Sequence, residues 1–237
     1  MLAIFPVTAA AQAGSESGSF EIAQRGHMVG TASFQFTATE GGYDSTSLVK
    51  VSMPGLDYAL SKTERLSAAN ALEHVQLSAT VNGEAANVVA SPDAAQLLMN
   101  ISVGGKSSTA RLAWHAGAVF MADFDPGALE TLLALAVERN SRDVWAILPK
   151  QAGSVEAVRL ATYADQGGML NGKSIVVHHL VATIAGVDTE LFSGPENQLL
   201  QAELPQEGFA LVRKGFVLTP PARPAAPLST PEPAAER

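Results

Sequence analysis

The chain contains no cysteine, which excludes disulfides, zinc thiolates, a cysteine nucleophile and a lipid-bearing N-terminal cysteine. Charge is also scarce. Only 16% of the 237 residues are Asp, Glu, Lys or Arg, too few for a coiled coil, while 47% are hydrophobic, too many for a disordered chain. Fifteen Lys+Arg against 23 Asp+Glu give a formal charge of −8. No net positive field draws nucleic acid, so a DNA- or RNA-binding role is disfavoured. After the first residues no stretch reaches the length of uninterrupted apolar residues that a membrane-spanning helix needs, so the protein is expected not to span a membrane.

Catalytic signatures are missing as well. The five histidines (His27, His74, His115, His178 and His179) show no H-x-H or H-E-x-x-H spacing, so no metal site is expected. There is no D-[ST]-G, G-x-S-x-G or EF-hand loop. Asp123 and Asp125 flank Phe124 and could form an acid/base or cation-binding pair, but Asp125 is better placed as a helix cap with Asp123 in solvent. The expectation is no catalytic residue, no metal and no cofactor.

Two formal motif matches fail on context. Gly167 to Ser174 (GGMLNGKS) satisfies the phosphate-loop pattern, but Ile175-Val176-Val177-His178-His179-Leu180-Val181 follows it, a β-branched run where a helix is required. Asn171-Gly172 reads instead as a hairpin turn, as does Gly104-Gly105 before Lys106-Ser107, so no nucleotide is expected. Ser47-Leu48-Val49-Lys50 fits S-x-x-K, yet on a strand residues i and i+3 face opposite sides.

What is present is alternation. Ala32, Phe34, Phe36 and Ala38 are apolar between Thr31, Ser33, Gln35, Thr37 and Thr39; Val75, Leu77, Ala79 and Val81 alternate with His74, Gln76, Ser78 and Thr80. On a strand each set lies on one face, giving a dry and a wet surface. Turn signals (Gly41-Gly42, Pro54-Gly55, Asn82-Gly83, Gly104-Gly105, Gly167-Gly168, Asn171-Gly172) punctuate the pattern. About ten to twelve strands are predicted, drawn from segments near 19–25, 31–40, 43–53, 56–66, 72–82, 84–90, 97–103, 107–114, 143–148, 155–163, 173–184, 187–193, 197–204 and 208–218. One helix is predicted over 126–139. Asp125 caps it, Pro126 suits its first position, and Leu129, Leu132, Leu133, Ala136 and Val137 form a single apolar stripe.

The fold class is therefore mainly β with one clear helix: a long curved antiparallel sheet, a half-barrel or open barrel, with helical cover. Residues 1–13 (MLAIFPVTAAAQA) are uncharged and end in Ala11-Gln12-Ala13. They read as a signal peptide, so the protein is expected to be exported to the periplasm or beyond, with a globular domain over 14–218. Residues 219–237 hold six of the 13 prolines and read as a disordered tail.

Three features then resemble a known group. Phe20-Glu21-Ile22-Ala23-Gln24-Arg25 leads through Gly26-His27-Met28-Val29-Gly30 into the alternating strand Thr31–Thr39. The helix at 126–139 follows many strands. The chain closes with Asp188-Thr189-Glu190-Leu191-Phe192 and Leu199-Leu200-Gln201-Ala202-Glu203-Leu204-Pro205. Together these resemble exported β-rich domains of unknown function related to the lipoprotein-carrier superfamily, the periplasmic carrier and its outer-membrane acceptor. The resemblance implies a half-barrel whose apolar groove holds acyl chains.

Three functional readings follow, in this order. The first is a non-enzymatic binding protein of the envelope, holding a lipid or lipidated protein in a groove lined by Phe34, Phe36, Val49, Val51, Leu77, Met99, Ile101, Leu129, Leu132 and Leu133. Most of these residues are expected to pack on one another. The second is an envelope scaffold or assembly protein, acting through a strand edge and the proline-rich tail. The third is a hydrolase of unrecognised type, for which a cleft would have to join Asp123 to His74, His115, His178 or His179.

Overall fold

The computed structural model describes residues 16–150 and 153–220. The expected signal peptide, and all of the expected tail beyond Pro220, lie outside the described residues. Eight consecutive strands form an up-and-down meander: β1 (Glu16–Gln24), β2 (His27–Thr39), β3 (Gly42–Met53), β4 (Leu56–Ser67), β5 (Leu72–Val81), β6 (Glu84–Asp93), β7 (Gln96–Val103) and β8 (Lys106–Ala113). Each is antiparallel to the next. A short β9 (Ala118–Phe120) leads into α1 (Pro126–Glu138), followed by β10 (Trp145–Leu148), β11 (Ser154–Thr162), β12 (Gln166–Leu170), β13 (Lys173–Ile184), β14 (Val187–Ser193), β15 (Leu199–Leu204), β16 (Phe209–Arg213) and β17 (Phe216–Leu218).

The two halves join where β16 pairs with β1, Phe20 opposite Arg213. From there the ladder runs through β15, β14 and β13 to β11 and β10, all antiparallel. β9 adds to β10 in parallel. The long β13 is shared: Lys173–Val177 pair with β12, which pairs with β17, while Leu180–Ile184 pair with β11. The seventeen strands make one mixed sheet that does not close into a barrel. It curls strongly, because β9, reached through the far half, packs against β5 of the near half.

Tight turns set the registers of the meander and of the β12–β13 hairpin. Asn82-Gly83 and Asn171-Gly172 take φ of 49° and 83°, and of 51° and 77°, the paired positive φ of the two-residue hairpins that match strand twist. Alternation does the rest. Phe20, Ile22, Phe34, Val49, Val51, Leu60, Val75, Leu77, Met99 and Ile101 all enter one buried cluster on the concave face.

α1 lies inside that concavity, against β2, β3, β9 and β15. Its start is as expected: Asp125 accepts hydrogen bonds from the amides of Gly127 (3.0 Å) and Ala128 (3.3 Å). The single-stripe expectation is corrected. Val137 is 60% exposed, whereas Ala128, Glu130, Thr131 and Leu135 are buried beside Leu129, Leu132 and Leu133. Sheet surrounds the helix on more than one side, so it is enclosed along most of its length rather than lying on a surface.

Three other expectations change. Among the described residues seventeen strands exceed the predicted ten to twelve, partly because β9 has only three residues and carries no periodicity. The predicted strand over 208–218 breaks into β16 and β17 at Lys214-Gly215, where Gly215 takes a φ of 81°. Gly167-Gly168 is no turn but lies within β12. A Cβ at Gly168 would come within 2.8 Å of both Phe216 and Val177. The glycine admits β17 and its Phe216, which seed a second small core with Val177, Phe192 and Leu200.

Candidate ligand groove

The segment Met121–Asp125 connects β9 to α1 across one mouth of the concavity. The Met121 amide donates to the Ile147 carbonyl (2.9 Å). Phe124 takes a φ of 56°, uncommon for a bulky residue, and this sends its ring between Tyr58 and Phe209, with centroids 6.1 and 4.8 Å away. The segment thereby bridges the two halves of the sheet.

A cavity flanks it on either side. One, of about 410 Å³, is walled by Tyr58, Leu77, Ala86, Val88, Ile101 and Val103. The other, of about 200 Å³, is walled by Phe124, Leu129, Leu148, Ile184, Leu204 and Leu211, with Asp125 and Glu207 also on its lining. Met121, Ala122, Asp123 and Lys150 line both. The Lys150 ammonium lies 2.9 Å from Asp123 Oδ1. Burial alone would lower its pKa, but the hydrogen bond and charge of Asp123, with Glu207 adding, raise it. The Tyr58 hydroxyl donates to the Asp123 carbonyl (3.4 Å). Burial, then the charges of Asp123 and Asp125, push its pKa up, so it remains a neutral donor.

Beneath the segment lies an ionic cluster that sequence reasoning missed. Lys62 and Glu64 occupy the dry register of β4 between Leu60 and Leu66, and both are buried. The Lys62 ammonium contacts Glu64 and sits 2.6 Å from Asp125 Oδ2. Burial opposes the Lys62 charge, yet the two carboxylates outweigh it and hold the ammonium above its ordinary pKa. Glu64 is pushed up by burial, against Lys62 and with help from Asp125. Across the ladder Ser45 faces Glu64 and Ser47 faces Lys62. These small residues leave room for the helix start. A Cβ on Gly127 would lie 2.6 Å from Ser47 Oγ and 3.2 Å from Phe34 Cβ.

One turn further along α1, Glu130 Oε2 accepts from the Leu199 amide (2.8 Å). Burial, with the Glu16 carboxyl adding, pushes Glu130 up to about 9, against the Leu199 hydrogen bond and the Arg213 charge. The Arg213 guanidinium lies over the rings of Phe20 and Phe34, 5.5 and 5.9 Å from their centroids.

All ten residues predicted to line the groove fall in the one concave-face cluster, Phe36 at its margin. Leu77, Ile101 and Leu129 reach the two cavities; Phe34, Val51, Met99, Leu132 and Leu133 are packed among their neighbours. Val49 lies under a shallow trough on the opposite, hydroxyl-lined face of the sheet. Ser47 is buried and Lys50 exposed, as the strand reading of S-x-x-K requires. The phosphate-loop match is the β12–β13 hairpin.

Among the described residues, no histidine lies on the lining of either cavity beside Asp123. Asp123 engages Lys150 and Tyr58, while His178 meets Asp165 at 3.0 Å, His179 meets Glu190 at 3.3 Å, and His115 stacks on Trp145. Among the described residues no three His, Asp or Glu side chains converge as a metal site, and no helix is long and apolar enough to cross a membrane. Compared with family models, with curated proteins and with solved structures, the chain finds no match.

Proposed function

We propose that this protein is a non-enzymatic, exported binding protein of the cell envelope, related to the lipoprotein carriers. In this reading it holds a lipophilic ligand, or the acyl part of a lipidated partner, between the concave face and the Met121–Asp125 segment. One observation carries the reading. Two cavities with largely apolar walls flank that segment and share Met121, Ala122, Asp123 and Lys150 on their linings. The larger is within the roughly 300–1,000 Å³ of ligand clefts, and apolar walls with a few placed polar groups are the usual form of such sites. The opening hairpin, the helix that follows many strands and the closing strand pair, on which the carrier resemblance rests, support the same reading.

Native mass spectrometry of the protein purified from an envelope fraction, followed by organic extraction, tests it. A bound mass extractable as lipid is expected. Ala86, half-buried on the wall of the larger cavity, supplies the control: Ala86→Trp should fill the cavity and remove that mass. A protein found at its calculated mass, which also fails to bind a neutral apolar dye, would overturn the reading.

A further inference from the structure

The charged side chains lining the smaller cavity are unequal in sign. Asp123 and Glu207 stand against Lys150, and Asp125 is committed to Lys62 behind them. Among the described residues Lys150 is the one cation on the lining of the smaller cavity, and it is exposed. It is held by Asp123 at 2.9 Å, and an incoming anion that took it would leave Asp123 unpaired beside the new charge. The amides at the start of α1 could also attract an anion. Those of Gly127 and Ala128 are occupied by Asp125. Glu207, in the exposed turn between β15 and β16, adds its charge to that of Asp123 on Lys150, while Arg25 stands beside the neighbouring Gly208.

Resting on the binding reading above, we infer that the ligand is an amphiphile whose head carries no negative charge, cationic or neutral, and that Asp123 and Glu207 reject fatty-acid-like anions. Burial first, and then the charges of Asp123 and Asp125, raise the pKa of the Tyr58 hydroxyl at this mouth. Neutral Tyr58 remains as a hydrogen-bonding group for an uncharged head.

The test uses the full chain, with a neutral naphthylamine dye in the groove and three competitors of equal chain length below their micellar concentrations: laurate, monolaurin and dodecyltrimethylammonium. Monolaurin and dodecyltrimethylammonium should displace the dye about tenfold more tightly than laurate. Asp123→Asn combined with Glu207→Gln should narrow that gap, chiefly by strengthening laurate. On the wild-type protein, raising the salt from about 0.01 M to 1 M should reduce the advantage of the cation over laurate, because the rim charges are exposed and screened.

Laurate competing as well as the other two in the wild-type protein would overturn the inference while leaving the groove in place. So would a cation preference indifferent to salt. Absence of dye binding would instead overturn the binding reading, and the inference with it.

Discussion

The Lys62 ammonium and the Asp125 carboxylate lie 2.6 Å apart, both fully buried, and tie the centre of β4 to the first turn of α1. Asp125 thus has two tasks, since its other oxygen accepts from the helix amides. With Glu64 as a third member, two carboxyls meet one ammonium in a setting with little water. Breaking such a group from one side leaves an uncompensated charge, whereas replacing the whole group with apolar neighbours is often neutral.

Lys62→Met should therefore destabilise the protein by about 3–5 kcal/mol in urea unfolding. The triple variant Lys62→Met, Glu64→Leu, Asp125→Asn should recover most of that loss, because Asn also caps helices and the stranded charges are gone. A triple variant no more stable than Lys62→Met would show that the ion pairs themselves hold the helix.

Glu130 sets a pH dependence whose sign can be stated. Its pKa rises from the ordinary carboxylate value to about 9 in the folded protein, so the folded state holds a proton that the unfolded state has lost. Its contribution is fully present below the unfolded pKa and is lost as pH climbs from about 4.5 towards 9, by up to about 1.4 kcal/mol per pH unit. Urea midpoints measured from pH 5 to pH 9 should fall for the wild-type protein. Glu130→Gln keeps an acceptor for the Leu199 amide without the titration, and its midpoints should fall less steeply. Parallel slopes would count against a protonated Glu130.

Much of the sheet was legible because its signals are local. Alternating residues and short turns with one or two positive-φ residues set the meander from β2 to β8 and the β12–β13 turn. What was illegible depends on partners distant in sequence. Gly168 looks like a turn residue until Phe216 lies over it, and β9 is too short to show a period. The helix displayed its cap, but no periodicity shows that sheet would enclose it, burying Glu130 and exposing Val137. Lys62 and Glu64 did leave a signal, two charges on the dry register of a strand framed by Tyr58, Leu60 and Leu66. The cavities themselves left none. Leu77 and Ile101 face an empty space and Met99 a filled one, though the same alternation places all three.

Gly127 marks the closest approach of helix to sheet. Its space is taken by Ser47 Oγ and the Phe34 Cβ, so a methyl group would push the first turn away from β2 and β3. In an exposed helix Gly→Ala is stabilising. Here it should destabilise by about 1–3 kcal/mol through overpacking. Gly127→Ala combined with Ser47→Gly, which removes the opposing hydroxymethyl group, should recover part of the loss. Denaturant unfolding of the two variants settles the point.

The hairpin at Asn171-Gly172 separates backbone geometry from the phosphate-loop pattern that the same residues spell. If geometry alone matters, Gly172, with a φ of 77°, should be sensitive and the exposed Lys173 indifferent. Gly172→Val forces a β-branched residue into the left-handed region and should cost about 1–2 kcal/mol or more. Lys173→Ala, at a solvent-facing position of β13, should stay within about 0.5 kcal/mol of wild type. Thermal unfolding with and without magnesium and ATP supplies the second readout. A ligand that binds only the folded protein raises the melting temperature, by more as its concentration climbs above Kd, and no rise is expected here. A nucleotide-dependent rise abolished by Lys173→Ala would show that the loop binds phosphate in spite of the strand that follows it.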